Sequence, residues 1–501
     1  MDSEEDWKVI PDSTSHYTII VPMHHATVYR FNAENCAKGL YLYSQLYDAV
    51  VAECKLVNTE GVLLYSVASP QTGRINADSQ VRIVNNYVEG VSSGTNKGGI
   101  NIRLDTTYRS QSYGSTYKGY GTYLQGVTVR GNTVANATPS ESFSGQTVSE
   151  QSKRCGIVVD YVGNYDVNVN VSSDIRFITL ENNRVETSQY GTYYEMASVG
   201  AVIRNNAYSA TATNQKVETA RIAGGYVIEG NDYDRLDSVS LSLNGKIGVN
   251  TYVHFLDETV ASNNSTVTIQ IDGGATQEYN LSEGFKADDG CYKYTAWLDA
   301  KNIDTNIKVL LTVNGVLVEE KQISMRTYLE QAKLLYGSNT KLYDMLRATE
   351  NYMDAASAYF AGKTVNAIDG LENKIADYQH TSSGTLPTGV SDVQASLFLQ
   401  EGTTLRITFK AESLSGVTCT VGGERVAVRS LANGTYCIEI ENISASELGT
   451  KYEVKIGGYT LNFSALSYAN IVVKSNADAN LTNLMKALYL YYEAAATYFA
   501  A

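Results

Sequence analysis

The sequence predicts a mainly β protein: a parallel β-helix, followed by two β-sandwich modules that each end in an α-helix. A short strand motif recurs in the first half of the chain, and hairpin-linked alternating strands fill the second half. The end of one predicted helix is also repeated at the end of the chain. We therefore place the β-helix at residues 1–237, the first sandwich module at 238–362, a linker at 363–389 and the second module at 390–501.

Composition restricts the class of protein. Of the 501 residues, 43% are hydrophobic and 18% are charged, as in a folded protein. Few prolines (5) beside 38 tyrosines and 40 glycines are typical of β-rich extracellular surfaces rather than of a helical cytosolic enzyme. The net charge of −14, without a cluster of Lys and Arg, argues against nucleic acid as a partner. No run of about 18 apolar residues is present, so we expect no membrane insertion.

Cysteines and histidines give no sign of a metal site or cofactor. The six cysteines have no CxxC spacing, and His24–His25 has no third ligand at a suitable spacing. Cys419 and Cys437 either face each other across strands or are buried free thiols, and free thiols are the favoured interpretation. The acidic N-terminus is no signal peptide. Because the composition indicates export, we expect an extracellular or cell-surface protein whose leader precedes this chain.

The recurring motif is a short strand that runs into a tight bend. It reads apolar, any, apolar, any, Asn or Gly, Asn, any, then Val or Tyr. Asn suits the bend because it tolerates the left-handed backbone conformation and hydrogen-bonds within its own turn. The five copies are Val81–Val88, Val127–Val134, Ile178–Val185, Ala201–Tyr208 and Tyr226–Tyr233.

The spacing of the copies predicts coils of unequal length. The second Asn of each copy lies at residues 86, 132, 183, 206 and 231, so the intervals are 46, 51, 23 and 25 residues. The short intervals match one β-helix coil, and the long ones are either double coils or single coils with insertions. A strand that begins with Gly occurs once per interval, at Gly99–Arg103, Gly156–Asp160 and Gly191–Glu195, which favours single coils. The insertions are then Leu104–Tyr123, Ala135–Cys155 and Tyr161–Asp174.

The second half alternates as half-buried strands with hairpin turns. Asn244–Gly245 and Asn314–Gly315 are strong two-residue hairpin signals. A helix is predicted over Tyr343–Ala361, and Gly362 follows where a C-terminal cap belongs. The segment from Lys363 to Pro387 is predicted to be a linker with one helical turn.

The module is then repeated. Asn351–Ala361 aligns without gaps on Leu490–Ala500, and Asp354 meets Glu493 in that alignment. Gly457–Gly458 also stands where the Asn-Gly hairpin stood in the first module. The same order of strands, hairpin and helix therefore predicts a duplication.

With these turns and Gly-led strands, the segment from about Tyr41 to Asp237 resembles the right-handed parallel β-helix proteins of the pectin-lyase-like superfamily. That family includes polysaccharide lyases, glycoside hydrolases, phage tailspikes and non-catalytic surface proteins. The second half is similar to paired β-sandwich (Ig-like) modules with a helix, appended to secreted or cell-wall proteins of bacteria. The sequence contains neither the polygalacturonase-type series Asn-Thr-Asp, Asp-Asp, Gly-His-Gly and Arg-Ile-Lys nor the pectate-lyase-type Arg-x-Pro-x-x-Arg. No catalytic residue is therefore carried over.

Alternation along the Gly-led strands predicts one candidate site. It places Arg103, Asp160 and Glu195 outward on successive coils, about 4.8 Å apart, with Asp105 one step further along. Two carboxylates roughly 5 Å apart suit acid–base cleavage of a glycosidic bond with retention. The alternative is a solvated ladder, in which Arg103 and Asp160 form a surface ion pair that contributes little.

The first insertion is predicted to bind the substrate or partner. A tyrosine ring offers an apolar face with a polar tip, which suits stacking on sugar rings or on a protein. The alternative is that the loop packs its own rings against the wall of the β-helix. The tyrosines are Tyr108, Tyr113, Tyr117, Tyr120 and Tyr123.

Two main hypotheses follow, and both take a polysaccharide or cell-wall glycan as the partner. The first is a glycoside hydrolase or polysaccharide lyase that acts through Asp160 and Glu195, with Arg103 or Asp105 assisting. The second is a non-catalytic adhesin or structural surface protein, which binds glycan or protein through the Tyr-rich loop 105–123. A fragment of a phage-type tailspike is a third, weaker interpretation.

Overall fold

The protein is mainly β, with parallel sheets in its first half and antiparallel sheets in its second half. This computed structural model describes residues 8–11, 17–20, 23–67, 80–90, 98–105, 123–136, 155–162 and 174–500. Within those ranges, residues 37, 45, 197, 243–245, 263, 273, 364, 401 and 476 are not described.

The described residues of the first half form twenty-three strands, and all but the antiparallel pair β1–β2 belong to parallel sheets. They are β1 Lys8–Pro11, β2 Tyr17–Ile20, β3 Met23–His24, β4 Thr27–Tyr29, β5 Asn32–Glu34, β6 Leu40–Ser44, β7 Leu46–Tyr47, β8 Val50–Ala52, β9 Lys55–Val57, β10 Val62–Val67, β11 Val81–Val84, β12 Tyr87–Glu89, β13 Gly98–Asp105, β14 Tyr123–Gln125, β15 Val127–Arg130, β16 Thr133–Ala135, β17 Cys155–Val162, β18 Asp174–Glu181, β19 Arg184–Tyr194, β20 Ser198–Arg204, β21 Ala207–Val217, β22 Ile222–Glu229 and β23 Asp232–Tyr233.

The parallel strands form three columns, and the chain visits each column in turn before it returns one strand further along. The first column contains β4, β8, β11, β15, β18, β20 and β22. The second contains β5, β9, β12, β16, the first part of β19, the first part of β21, and β23; the third contains β6, β10, β13, β17 and the remainders of β19 and β21. Because β11 pairs directly with β15, and β13 with β17, each long interval is a single coil. Residues 106–122, 137–154 and 163–173 of the predicted insertions lie outside the described residues.

One apolar core fills the space between the columns. Every second side chain along a strand points into it, as the period of two requires. Most of these side chains are β-branched or Leu, which suits a fully buried strand face. Representative members of the three columns are Val51, Ile83, Val129, Leu180 and Ile203; Leu56, Val88, Val134 and Val185; and Leu64, Ile102 and Val159.

The second Asn of the motif connects neighbouring coils. The Oδ1 atom of Asn132 accepts hydrogen bonds from the backbone N–H and the side-chain amide of Asn86, both at 2.9 Å. Its Nδ2 atom donates to the carbonyl of Ile83 and to Oδ1 of Asn183, also at 2.9 Å. Asn183, Asn206 and Asn231 continue the same pattern. We call this buried row the asparagine ladder.

The bend itself is formed by the residue before each ladder position. That residue has a positive φ in each motif, for example 56° at Asn85 and 66° at Gly131. Asn and Gly are the residues that adopt this conformation at least cost. The predicted left-handed bend is therefore confirmed, but the predicted hydrogen bond within the turn is wrong for the second Asn, which bonds to the preceding and the following coil instead.

The Gly that leads each strand of the third column lies in a second row across the coils. A Cβ atom built on Gly156 would lie 2.3 Å from Cγ1 of Val185 and 2.8 Å from the carbonyl oxygen of Gly191. Gly99 and Gly191 are equally crowded, by Val134 and Tyr208. The motif therefore needs Gly because each coil turns against the side chains of the second column.

Replacing Gly156 with alanine is expected to lower the free energy of unfolding by about 1–3 kcal/mol, because the added methyl group overpacks the core. Urea unfolding followed by circular dichroism would measure the change. Gly458→Ala is the matched control, since its nearest atom, the carbonyl oxygen of Thr385, lies 3.4 Å away. Equal stability of both variants would contradict the expectation.

The second half contains antiparallel sheets. The strands are β24 Arg235–Ser242, β25 Gly248–His254, β26 Thr266–Ile271, β27 Thr276–Asn280, β28 Phe285–Lys286, β29 Tyr292–Trp297, β30 Asn306–Val313, β31 Val316–Ser324, β32 Thr381–Ser383, β33 Val390–Leu399, β34 Thr403–Ala411, β35 Cys419–Val421, β36 Glu424–Arg425, β37 Arg429–Ser430, β38 Thr435–Ile443, β39 Tyr452–Ile456 and β40 Tyr459–Phe463. The α-helices are α1 Glu258–Ala261, α2 Met325–Tyr336, α3 Thr340–Ala361, α4 Glu372–Ala376, α5 Ala465–Lys474 and α6 Ala479–Phe499, with short 3₁₀ turns at Thr219–Arg221, Leu281–Glu283, Ala300–Asn302 and Ala445–Glu447.

The two sets of antiparallel sheets have the same strand order. The first set has sheets β24-β25-β29-β28 and β27-β26-β30-β31, and the second has β33-β34-β38-β37 and β36-β35-β39-β40. The second set differs by one added edge strand, β32, which pairs with β40. A helix pair follows each set, α2 with α3 and α5 with α6.

The repeated helices pack against each other in one shared core. Tyr352 of α3 stacks on Tyr491 of α6 at a centroid distance of 5.4 Å, and these two residues occupy the same position in the gapless alignment. Burial raises the pKa of both hydroxyls. Helix α3 begins three residues before its predicted start and ends at Gly362, whose φ of 68° confirms the predicted cap.

Asp234 joins the parallel region to the first antiparallel set. It is buried, and its carboxylate accepts hydrogen bonds of 2.7 Å from the backbone N–H groups of Ala210 and Leu256. Burial raises the pKa of Asp234, although these hydrogen bonds oppose the shift. The carboxylate thus satisfies one backbone donor from each region.

Two further expectations have a structural outcome. All six cysteines are free thiols, and Cys419 and Cys437 belong to different sheets, so they do not face each other across neighbouring strands. Across the described part of the chain, no helix combines the length and the apolar character needed to cross a bilayer.

Candidate functional site on the outer face of the third column

The predicted column of charged residues lies on the outer face of the third strand column. Ile100 and Ile102 point into the core, so Asn101 and Arg103 point outward. Arg103 pairs in register with Asp160 on the next coil. The backbone N–H of Glu195 donates to the carbonyl of Val159 at 3.0 Å, which places Glu195 beside Asp160. The fold therefore brings Arg103, Asp160 and Glu195 together.

Arg103 and Asp160 form a buried, bidentate ion pair. Nε and Nη2 of Arg103 lie 3.0 Å from Oδ1 and Oδ2 of Asp160, and Nδ2 of Asn101 lies 3.3 Å from Oδ1. Only 5% of Arg103 and none of Asp160 is exposed. The proposed alternative of a solvated surface pair is therefore wrong, because this pair has left water. A planar guanidinium suits such a site, since its two parallel N–H groups match both carboxylate oxygens.

An aromatic ring lies beside the ion pair, and a further buried cluster lies on the adjoining strands. The guanidinium of Arg103 lies 6.0 Å from the centre of the Tyr65 ring. On the adjoining strands, Cys155, Val158, Tyr190 and Tyr193 form a small buried cluster of their own, outside the main core. The outer face of this column is thus itself a packed layer.

One partly exposed part of the face lies beyond Asp160, toward the end of the parallel region. Glu195 is partly exposed, and one of its carboxylate oxygens accepts a hydrogen bond of 2.8 Å from the hydroxyl of Tyr193. Nζ of Lys216 lies 5.3 Å from the centre of the Tyr193 ring. Nη1 of Arg221 donates to the backbone carbonyl of Glu195 at 2.7 Å. This end offers a partly exposed carboxylate and two cations on two neighbouring coils, beside the buried ring of Tyr193.

The other predicted site residues are not tested by the geometry. Asp105 is opposite Val162 in the register, but its side chain is not described. Tyr123 begins β14, and its side chain is also outside the description. Tyr108, Tyr113, Tyr117 and Tyr120 lie outside the described residues altogether. Their roles stay predictions.

The described residues show no arrangement suited to a metal ion. No group of three or more His, Cys, Asp or Glu side chains among them could hold one. Nδ1 of His25 instead lies 2.9 Å from one carboxylate oxygen of Asp48. The other oxygen of Asp48 lies 2.9 Å from Nη2 of Arg82.

Several residues of the face were missed in the sequence, although a signal for them exists. Tyr65, Tyr193 and Lys216 occupy the same outward positions as Arg103 or Asn101 on neighbouring coils. The alternation that located Arg103 would have located them too, once the register between coils was known.

The arrangement separates two chemical tasks. Both oxygens of Asp160 are bound by Arg103, and the residue has no exposed surface. Glu195 and Lys216 retain exposed surface, so they can exchange hydrogen bonds with a ligand.

Compared with protein-family models, with curated proteins and with solved structures, the chain matches none.

Proposed function

We propose that this chain is a non-catalytic polysaccharide-binding protein of the cell surface or extracellular space. In this proposal the three columns are a right-handed parallel β-helix, whose third column presents the glycan-binding face. The two antiparallel sets are Ig-like sandwich modules that act as spacers or anchors.

The buried state of Asp160 is the observation that carries the choice of binding over cleavage. Hydrolysis of a glycosidic bond by the common mechanism uses two carboxyl groups that reach the substrate. Arg103 occupies both oxygens of Asp160, and none of that residue is exposed. The predicted pair of Asp160 and Glu195 therefore offers one accessible carboxylate rather than two.

Glu195 and Lys216 support sugar recognition. Hydroxyl groups of a glycan both donate and accept hydrogen bonds, and a carboxylate beside an ammonium group satisfies both needs. The Tyr-rich loop 105–123 is proposed to extend this face with further aromatic rings. We propose that Asp160 and Arg103 hold together strands β13 and β17 of this column.

The test measures binding and cleavage of the same glycans. Pure protein is titrated with a panel of acidic and neutral polysaccharides, while reducing ends and unsaturated products are monitored. We expect saturable binding without product. Lys216→Ala should weaken binding about tenfold, the worth of one charge-assisted hydrogen bond.

Lys55→Ala is the matched control. Lys55 also lies over a tyrosine ring, with Nζ 5.9 Å from the centre of Tyr87, but on the second column. Equal loss of binding in the two lysine variants, or no binding to any glycan, would overturn the proposal.

A glycoside hydrolase or polysaccharide lyase is the second candidate, because Glu195 remains accessible beside the hydroxyl of Tyr193. Product formation that disappears in Glu195→Gln would establish this candidate instead.

A further inference from the structure

A groove of about 570 Å³ lies on the first antiparallel set, away from the proposed glycan face. Its walls are β24 and the end of β31, and its floor is one side of helix α2. Apolar and uncharged polar side chains line it, among them Val239, Leu241, Ile323, Tyr328 and Ala332. Such a groove suits a peptide segment with aliphatic side chains.

The duplication identifies the counterpart of this groove in the second set. Ser324 ends the last strand of the first set, and Ser464 directly follows the last strand of the second. Each caps the next helix and accepts a hydrogen bond from the backbone N–H three residues later. Counted without gaps from these serines, Gln322 corresponds to Asn462, Ile323 to Phe463, Thr327 to Ser467 and Tyr328 to Tyr468.

In the second set these positions are covered by residues 371–383 of the same chain. Thr381 pairs in strand register with Asn462, and the ring of His380 lies 5.5 Å from that of Phe463. Oγ of Ser467 donates to the carbonyl of Tyr378 at 2.6 Å. The covering segment is thus a strand preceded by a turn that bonds to the helix.

The same segment also inserts two aliphatic side chains. Leu371 and Ile375 lie four residues apart at helix α4, and both are buried in the shared core. Helix α4 contacts helix α5, which is the counterpart of α2.

In the first set the corresponding surface is open. Thr327 is exposed, whereas its counterpart Ser467 is fully buried. Leu334 and Leu335, at the end of α2, are 86% and 75% exposed. β31 is also the edge strand of its hydrogen-bonded sheet, with β30 as its paired neighbour and β21 of the parallel region packed against it. An edge strand beside exposed leucines is a ready site for strand addition.

The segment of this chain that precedes the first set has a different position from residues 371–383. Residues 371–383 end seven positions before β33 begins at 390 (390 − 383 = 7). The stretch at the same distance before β24, residues 216–228, belongs to β21, β22 and the turn between them. It is therefore part of the parallel region, whose strand β21 packs against β31, and it is not a strand paired with β31 as β32 is with β40.

We infer that the groove binds a segment of another polypeptide with the chemistry of residues 371–383. That segment presents two aliphatic side chains four residues apart on a helical turn. Its carbonyl accepts a hydrogen bond from Thr327, and its following extended part adds a strand to the edge of β31 near Gln322. This protein-binding surface is separate from the proposed glycan face and goes beyond the proposed function.

The probe is a fluorescein-labelled synthetic peptide with the sequence of residues 368–386, IDGLENKIADYQHTSSGTL. Its fluorescence anisotropy is measured as the intact chain is titrated into it. We expect saturable binding that Thr327→Arg and Gln331→Arg each weaken by about tenfold or more, because an arginine fills the groove. Both positions are exposed, so these variants should retain the circular dichroism of the wild type.

Glu330→Arg is the matched control, since Glu330 is exposed on the same helix and does not line the groove. A peptide in which Leu371 and Ile375 are replaced by serine should lose binding. The inference is overturned by the absence of saturable binding, by equal weakening in Glu330→Arg, or by undiminished binding to Thr327→Arg and Gln331→Arg. These variants lie outside the proposed glycan face, so a failure of glycan binding can be told apart from a failure of peptide binding.

Discussion

Replacing Asn132 with alanine is expected to lower the free energy of unfolding by about 3–6 kcal/mol, since each buried polar group left without a partner costs about 1–3 kcal/mol. The change removes the acceptor of the backbone N–H and side-chain amide of Asn86 and the donor to the carbonyl of Ile83. It also removes one of the donors to Oδ1 of Asn183. Urea or guanidinium unfolding, followed by circular dichroism, would measure the loss.

The control is the neighbouring motif Asn at position 182. Asn182 is exposed and has a φ of 54°, a conformation that glycine adopts freely. Asn182→Gly should therefore change stability by no more than a few tenths of a kcal/mol. A stability of Asn132→Ala within about 1 kcal/mol of the wild type would show that water replaces the ladder contacts.

Replacing Asp160 with alanine is expected to lower the free energy of unfolding by about 3–5 kcal/mol, because it removes the carboxylate that holds the buried guanidinium of Arg103 through two hydrogen bonds. Asp160→Asn should also be destabilised, since the amide keeps the shape and removes the charge. A carboxylate used only for catalysis would lose activity on this change without a comparable loss of stability.

A double variant tests whether the charges of the ion pair contribute to stability beyond filling the space that they occupy. Arg103→Met with Asp160→Leu replaces both partners by apolar groups of similar volume, which is often neutral or stabilising by about 1–4 kcal/mol. Thermal and denaturant unfolding of the single and double variants complete the cycle. A double variant as unstable as Asp160→Ala would mean that the face requires the charges themselves.

The sequence located the column of Arg103, Asp160 and Glu195 because a strand period of two leaves no other placement. It could not reveal burial, because burial depends on packing outside the strand. Likewise, Asn132 was recognised as part of a bend, but its bonding partners lie 46 and 51 residues away in sequence. A local pattern carries no information about contacts at that separation.

Helix α2 was missed for a different reason. Its buried Met325, Leu329 and Ala332 recur at helical spacing after the cap Ser324, so the signal was present over only three turns and was not recognised. Helix α3 was found because it is longer, with apolar residues recurring at helical spacing, and because a Gly follows its last turn.

The stacked pair of Tyr352 and Tyr491 has a consequence for how the second half responds to dilution. A contact between equivalent positions is the geometry of an isologous dimer, here with both partners in one chain. Joining two partners by a short connection gives each an effective concentration in the millimolar range. The helices therefore stay paired at any protein concentration, and the two sets of sheets do not behave as independent domains.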